Sequence, residues 1–587
     1  MGAVPVNVLA NPRFEAGTGA LPDGWAESGP GRATWIREGV PCVKLTGEGT
    51  EAKSFKSLYT QAGRARPGTY YEATVRFKLA GGSGWGGVAF TFTVAGGETK
   101  LFWYGLNGLP DWHAHAFGVI APEGAESLVL AVNAGNGSSL LFSEVTLVEK
   151  PAGRTEDKIE FDLGKLGQVV DGFGVMYWPP ELVKPAAEFG ALNIRYIRIT
   201  KDGGSWEHLQ WLYGECRKLG VKWLYTLWSV PKEFQGPDGN LVDPAGFADH
   251  WVGTVRELDE HGCRPHFIDL ENEPDYFGIP AEPYAELIRQ VRVKLDAAGF
   301  RDVVLTGPGL THVGAGNFLK YRDALDRKAV DAIGVWTGHA WDDAWNWEKE
   351  TGEVVITDLR AEPFVQGCRE RDPNKPIWIT EYATRQRTFH GITYPHSDTE
   401  SAGNYSASFT MPYAIRTYAN TLSMLNHGVN SVFYWSSGDV KDSPKQWGYL
   451  GPDGEKKPVY HALRSLWGAI RPGSRAVLPP PEMGLKAVYA GAYLDYADPK
   501  KPVLVVGVAN TSAEKRKAVI RLGNAPKGLA VAAAERVEIE AWGDVATKRP
   551  DVARAAPASV KLEADKDGYS FVVEMARDSA LTVRLAP

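Results

Sequence analysis

The sequence predicts an α/β protein in which a (β/α)8 TIM barrel is flanked by an N-terminal jelly-roll-like β-sandwich and a C-terminal β-sandwich. Three observations carry that prediction. Short apolar–polar alternations between Gly and Pro clusters fill the chain up to Lys150. Eight apolar strand-like runs then alternate with helix-length amphipathic segments. Beyond Arg471 the strands return without helices.

Bulk properties agree with a fold of this size and narrow the functions. The chain has 587 residues, and roughly 150 residues per domain gives about four units, or three when one is a large barrel. Charged residues make up 23% and hydrophobic ones 44%, so disordered, collagenous and coiled-coil architectures fail on composition. Lys plus Arg number 64 against 71 Asp plus Glu, without blocks of like charge, so neither nucleic acid nor a membrane is expected as a partner. Cys42, Cys216, Cys263 and Cys368 are too far apart for a metal knuckle or a redox CxxC pair and read as buried thiols. The opening segment MGAVPVNVLANP lacks the charged and apolar regions of a signal peptide. A Met-Gly start before a mature-looking segment is what a trimmed leader leaves, so secretion is the expectation, with a cytoplasmic location left open.

Residues 1–150 read as the first sandwich. Tyr71, Ala73, Val75, Phe77 and Leu79 alternate with Glu72, Thr74, Arg76 and Lys78, as a half-buried strand requires. The stretches Ser127–Val132 and Leu140–Val148 repeat the theme. The opening NPRFEAGTGALPDGW, residues 11–25, resembles the start of jelly-roll carbohydrate-binding modules. Trp85, Trp103, Tyr104 and Trp112 are candidates for a sugar-stacking platform or, equally, core aromatics. Gly82, Gly84 and Gly87 spell GxGxxG, but no helix follows to receive a pyrophosphate.

Residues 151–165 form a polar linker and then a strand-like run, Ile159–Leu163, expected to join the C-terminal sandwich. Residues 166–471 carry the barrel, with strand runs at Val169–Val175, Asn193–Thr200, Lys222–Pro231, Pro265–Leu270, Asp302–Gly307, Ala332–Thr337, Pro376–Thr380 and Ser431–Trp435. Between them lie helical segments such as Pro283–Ala297, whose Tyr284, Leu287, Ile288, Val291 and Leu295 share a face. Residues 472–587 form the last sandwich, with strands at Pro502–Ala509, Ala518–Leu522, Val537–Trp542, Phe571–Met575 and Leu581–Leu585.

Barrel enzymes place reactive groups at the C-terminal ends of their strands. At two such ends a carboxylate directly follows a buried run: Glu271-Asn272-Glu273-Pro274 on the fourth and Trp378-Ile379-Thr380-Glu381 on the seventh. Two opposed carboxylates are what glycosidic bond cleavage needs, one to protonate the departing oxygen and one to attack the anomeric carbon. Glu273 and Glu381 are the catalytic candidates. Glu271, out of phase with Glu273, is expected to point away and act structurally. Arg198 ends an apolar run, and a buried Arg needs a carboxylate partner. His339, Trp228 and Trp435 stand near other strand ends. Lys201, Lys232, Arg385, Arg387 and His390 follow strand ends and suggest a basic rim for acidic sugars, and Trp336–Trp347 suggests extra subsites. No metal or other cofactor is expected, since neither HExxH nor a Cys/His cluster occurs.

These motifs resemble clan A of the glycoside hydrolases, with Asn-Glu-Pro on strand four and a glutamate ending strand seven. Asp171-Gly172-Phe173-Gly174 and Leu227-Trp228-Ser229-Val230-Pro231-Lys232 are similar to segments of family 30, with family 39 as the alternative. The resemblance implies a retaining glycosidase acting on a β-linked polysaccharide or oligosaccharide, with Glu273 as acid/base and Glu381 as nucleophile. It further implies that Arg198 supports the nucleophile, Asn272 binds the substrate 2-hydroxyl, His339 sits near the nucleophile, and Trp228 and Trp435 contact the sugar. Retention in turn requires Glu273 to be protonated near working pH and Glu381 to be ionised. A transglycosylase with the same glutamates and a non-catalytic carbohydrate-binding protein are the competing readings. Sugar identity, endo or exo action and oligomeric state are not readable from the sequence.

Overall fold

The structure is a computed structural model that describes residues 7–37, 39–48, 54–82, 85–107, 112–150, 156–178, 184–200, 204–313, 315–341, 361–385, 387–390, 392–397, 405–443, 445–480 and 488–587. It divides into two compact units, one reaching Asp157 and the other beginning at Lys158.

The first unit is a sandwich of two five-stranded antiparallel sheets. One has the order Ala26–Ser28, Phe55–Arg64, Ala125–Gly135, Trp85–Val94, Thr99–Asn107; the other Gly31–Ile36, Cys42–Gly47, Ser138–Lys150, Tyr70–Gly82, His113–Ile120. The alternation in the sequence sends Tyr71, Ala73, Val75 and Phe77 inward to meet Phe90, Leu130 and Phe142 in the core. The segment that opens with Asn11 also belongs to this core. Asn11 accepts from the Glu15 N–H at 3.1 Å, the Trp25 indole donates to the Asn11 carbonyl at 3.0 Å, and Phe14 meets Trp25 edge-on at 5.1 Å.

In the second unit eight parallel strands close into a barrel: β1 (Gly172–Met176), β2 (Ile194–Ile199), β3 (Lys222–Thr226), β4 (Phe267–Asp269), β5 (Val304–Leu310), β6 (Ile333–Trp341), β7 (Ile377–Ala383) and β8 (Ser431–Tyr434). Strand β8 pairs with both β7 and β1. Tyr196, Leu224, Val335, Trp378 and Phe433 fill the barrel interior, with Tyr196 and Trp378 rings 4.5 Å apart. Packing at this level leaves the strand ends above it for chemistry. Helices cover the outside. Trp206–Leu219 starts at Ser205, whose hydroxyl accepts from the His208 N–H, and stops at the left-handed Gly220. The predicted helix at Pro283–Ala297 runs Ala281–Ala297.

The first predicted strand run is split in two. Val169 belongs to Leu166–Val169, which pairs with Arg475–Val477, and the barrel strand starts only at Gly172. The break falls at Gly172, whose φ of 129° is closed to other residues and whose Cβ would meet the Arg195 side chain at 2.7 Å.

A four-stranded sheet and a seven-stranded antiparallel sheet complete this unit. Strand Glu156–Asp162 adds to the four-stranded sheet beside Arg516–Gly523. Helix Met411–Asn426 is buried at every residue. The Tyr418 hydroxyl donates to the Leu581 carbonyl at 3.0 Å, tying that helix to the last strand of the chain.

Candidate active site

Strand β4 ends in a backbone arrangement that aims Glu273. The Asn272 N–H donates to the Leu227 carbonyl at 2.8 Å, and Glu273 follows in the left-handed region at φ 50°. A non-glycine residue holds that conformation only when its surroundings over-determine it, at a cost of roughly 1–3 kcal/mol. Here the Glu273 N–H donates to the Gly309 carbonyl at 3.2 Å, and the Glu273 carbonyl accepts from Tyr276 and Phe277 at 2.8 and 2.9 Å. Gly309 is itself left-handed, and a Cβ on it would stand 3.0 Å from both Asp269 carboxylate oxygens.

Arg198 on β2 is fully buried and joins three strands. Its Nη1 donates to Glu381 Oε2 at 2.8 Å, and its Nη2 donates to Asn272 Oδ1 at 2.6 Å and to Asp269 Oδ2 at 3.4 Å. The other Glu381 oxygen, Oε1, accepts from the Trp341 indole at 2.8 Å. His339 on β6 places Nδ1 at 3.0 Å from Glu273 Oε1 and 3.9 Å from Glu381 Oε2. One ligand atom each from Glu273, His339 and Glu381 lies within 4.8 Å of the others.

The electrostatics follow from this geometry. Burial pushes the Glu273 carboxyl up, but the His339 imidazole, with Arg198 and Arg385 beyond it, outweighs burial and holds the carboxyl below its ordinary value. This corrects the expectation of a carboxyl kept protonated by its surroundings alone. Glu271 is fully buried, and burial together with the nearby Asp269 pushes its carboxyl up to about 9. Asp269, buried beside Arg198, is pushed up to about 6.

Glu273, His339 and Glu381 form the one His/Cys/Asp/Glu group among the described residues close enough to share a metal ion. The donor set fits a cation poorly. Both Glu381 oxygens already accept hydrogen bonds, and one donor is a guanidinium that would repel the ion.

Aromatic rings wall the cleft. Trp228 and Trp435 rings are 5.3 Å apart, Trp341 and Trp435 6.4 Å, and Trp341 and Trp447 5.1 Å. A cavity of about 410 Å³ opens beside Trp435, with Trp178, Trp228, Trp447, Thr200 and Lys445 on its walls.

All seven predicted site residues therefore stand at one end of the barrel. Glu273, Glu381, Arg198, Asn272 and His339 are linked by direct contacts, and Trp228 and Trp435 flank them. The role expected for His339 shifts, since it is nearer to Glu273 than to Glu381. Sequence reasoning missed Trp341 and Asp269 as partners. Trp341 was accessible, because it lies two residues past His339 on a strand and so shares its face.

Three weaker expectations are corrected. His390 does not line a basic rim: its Nε2 lies 2.8 Å from Asp578 Oδ2 in the C-terminal sandwich. Trp336 offers no subsite, being fully buried against Phe318 with ring centroids 6.5 Å apart. Trp103 and Trp112 cannot share a platform. Trp103 is on the sheet containing Phe55–Arg64, whereas Trp112 lies 4.9 Å from the Arg76 guanidinium on the opposite sheet. The side chains of Trp85 and Tyr104, Lys201, and residues 342–347 fall outside the described residues.

No protein-family model and no curated protein matches the chain. Solved structures do. The glycoside hydrolase family 30 subfamily 8 xylanase from Clostridium acetobutylicum superposes with a TM-score of 0.52 at 14% identity, covering 73% of this chain and 100% of its own. The family 30 endoxylanase from Clostridium papyrosolvens C71 gives 0.50 at 16% identity, covering 73% and 99%. SrfJ from Salmonella typhimurium gives 0.50 at 13% identity, covering 75% and 96%. This chain has the fold of the family 30 glycoside hydrolases. At such identities the likeness to family 30 is one of fold, and the chemistry has to be argued from the residues. Among the described residues no helix is long and apolar enough to cross a membrane.

Proposed function

We propose that the protein is a retaining glycosidase that cleaves β-linked polysaccharides or oligosaccharides by double displacement. The observation that carries this reading is the approach of Glu273 and Glu381 oxygens to within 4.8 Å. Inverting enzymes hold their carboxyl groups about 6.5–9.5 Å apart to admit a water, and retaining ones about 5–5.5 Å.

In the first step Glu381 attacks the anomeric carbon while Glu273 protonates the departing oxygen. Arg198 and Trp341, donating to the two Glu381 oxygens, fix the nucleophile in place. One proton on the Glu273–His339 pair suffices. Whichever atom carries it in the free site, the 3.0 Å contact lets it pass to the carboxyl before transfer. In the second step Glu273 takes a proton from water, whose oxygen attacks the anomeric carbon and displaces the Glu381 carboxylate, so the sugar leaves with its configuration kept. Asn272 has its carbonyl oxygen engaged by Arg198, so its amide NH2 is the group offered to a sugar hydroxyl. Trp435 supplies an apolar surface for the sugar face, with Trp228 beside it.

The test is an NMR time course of product anomers on a panel of neutral and acidic β-glycans, with Glu381→Gln as the inactive control. The first-formed product is expected to keep the β-configuration. An α-anomer formed first, or full activity in the control, overturns the assignment.

A further inference from the structure

The loop that follows β7 has both ends at the cleft and its tip on the C-terminal sandwich. Near its start the Arg385 guanidinium lies 5.0 Å from the centre of the Trp341 ring, and that indole donates to Glu381 Oε1. Near its end the Ser397 carbonyl accepts from the Gln446 N–H at 2.7 Å, and the His396 ring meets Trp447 edge-on at 5.8 Å. Between them Thr388–Phe389 pairs with Ile392–Thr393, and the Arg387 carbonyl accepts from the Tyr394 N–H at 2.8 Å. A hairpin with two residues in each strand has too little ladder to fix its own position, so the tip must be held from outside.

Two contacts hold it. Phe389 is buried, with its ring centre 4.7 Å from the Arg416 guanidinium on the buried helix Met411–Asn426. His390 Nε2 lies 2.9 and 2.8 Å from the two Asp578 carboxyl oxygens, with the side chains 7% and 0% exposed. Asp578 stands in the turn between the sandwich strands Gly568–Met575 and Ser579–Ala586.

The backbone on both sides of this contact is strained. His390 is left-handed at φ 51° and Asp578 at φ 43°. Only eight non-glycine residues among those described have a positive φ, and Glu273 is another of them. Each such residue costs roughly 1–3 kcal/mol and persists where its surroundings over-determine it, as at sites whose geometry matters. What the tip fixes is Arg385, five residues before His390. Its guanidinium covers the indole that holds the nucleophile, and its charge is one of those that keep the Glu273 carboxyl below its ordinary value.

We propose that His390 and Asp578 are positioning residues: the C-terminal sandwich grips the tip of this loop and thereby holds Arg385 over Trp341 at the catalytic centre. Their part in the reaction rests on the glycosidase reading; the grip itself does not.

The test replaces both residues, as His390→Gly with Asp578→Gly. Glycine is at ease at both backbone positions, and removing the two side chains together leaves no buried carboxyl without its partner. On the glycan cleaved fastest, kcat is expected to fall about tenfold with KM within about threefold, because Arg385 moves while the Ser397 end stays bonded beside Trp447. The upper limb of kcat/KM against pH should move to higher pH as the charge of Arg385 withdraws. In an Arg385→Gln background the same pair should cost less than about twofold more. Hydrogen–deuterium exchange over residues 384–397 should quicken about tenfold while that of β7 is unchanged. His390→Gln, whose amide reaches as far as Nε2, should keep most of the activity and covers the case in which the double variant unfolds. Faster exchange with normal kcat, lower kcat with normal exchange, or full additivity with Arg385→Gln overturns the proposal. If the wild type hydrolyses no β-glycan, the glycosidase reading falls alone, and the exchange rates by themselves uphold or overturn the grip.

Discussion

Glu273 is subject to opposed influences, and their balance sets a measurable property. Burial favours its neutral form, while His339 at 3.0 Å, Arg198 and Arg385 favour the ionised form and prevail. The upper limb of kcat/KM against pH reports loss of the proton from the acid. His339→Gln removes the partner that most opposes burial, so that limb should move to higher pH. A pH–rate series that leaves the limb in place or moves it down would show that His339 does not govern the acid. Glu273→Ala should cost roughly 10² to 10⁴-fold on substrates with poor leaving groups and much less on activated aryl glycosides. Comparing the two substrate classes in steady-state assays checks this, and an equal loss on both would remove Glu273 from the acid role.

At the scale of elements, the turn after β4 and the end of β5 act together. Gly309 supplies the carbonyl that accepts the Glu273 N–H, and its bare Cα leaves room for the Asp269 carboxylate that pairs with Arg198. Gly309→Ala places a Cβ 3.0 Å from that carboxylate at a left-handed φ of 60°. The expected cost is about 1–3 kcal/mol of stability, together with a fall in kcat larger than any change in KM, because the reacting carboxyl is displaced rather than a binding surface removed. Denaturant unfolding and steady-state kinetics on one preparation check both. Normal kcat in a stable variant would mean that the β5 end does not position Glu273.

For the whole molecule, the segment after β8 carries Trp435, Lys445 and Trp447 to the cleft and is held by a buried ion pair. Lys457 and Asp439 are both fully buried; the ammonium also donates to Ser408 Oγ at 2.8 Å and to the Gln446 carbonyl at 3.2 Å, and lies 4.0 Å from the centre of the Phe409 ring. Removing one partner strands the other, so Lys457→Met should destabilise by about 3–5 kcal/mol. Adding Asp439→Leu should cost less than the sum of the two single changes. Chemical denaturation of the three variants measures this, and strict additivity would show that the pair is not coupled.

Much of this was legible in the sequence. The change from period two to strand–helix alternation and back marked the two sandwiches and the barrel, because side-chain periodicity follows directly from which faces must be buried. Each of the eight barrel strands falls within or overlaps its predicted run, since fully buried parallel strands are continuous apolar segments. Strand ends also pointed to Glu273, Glu381, Arg198 and His339 as candidates, and the family resemblance to Asn272; the structure brings these side chains together, for in a barrel the position along a strand fixes the face of the molecule. Strands such as Val488–Asp495 and Val552–Pro557 escaped notice because Gly and Ala blur their alternation.

What the chain order could not specify were relations between residues far apart in it. That Trp341 donates to Glu381, that Asp269 shares Arg198, that His339 leans toward Glu273 and holds its carboxyl down, and that Trp103 and Trp112 face away on opposite sheets all depend on which surfaces meet after closure. Local pattern sets which side of a strand a residue occupies; its neighbour across space, and hence its charge and reactivity, is decided by tertiary packing.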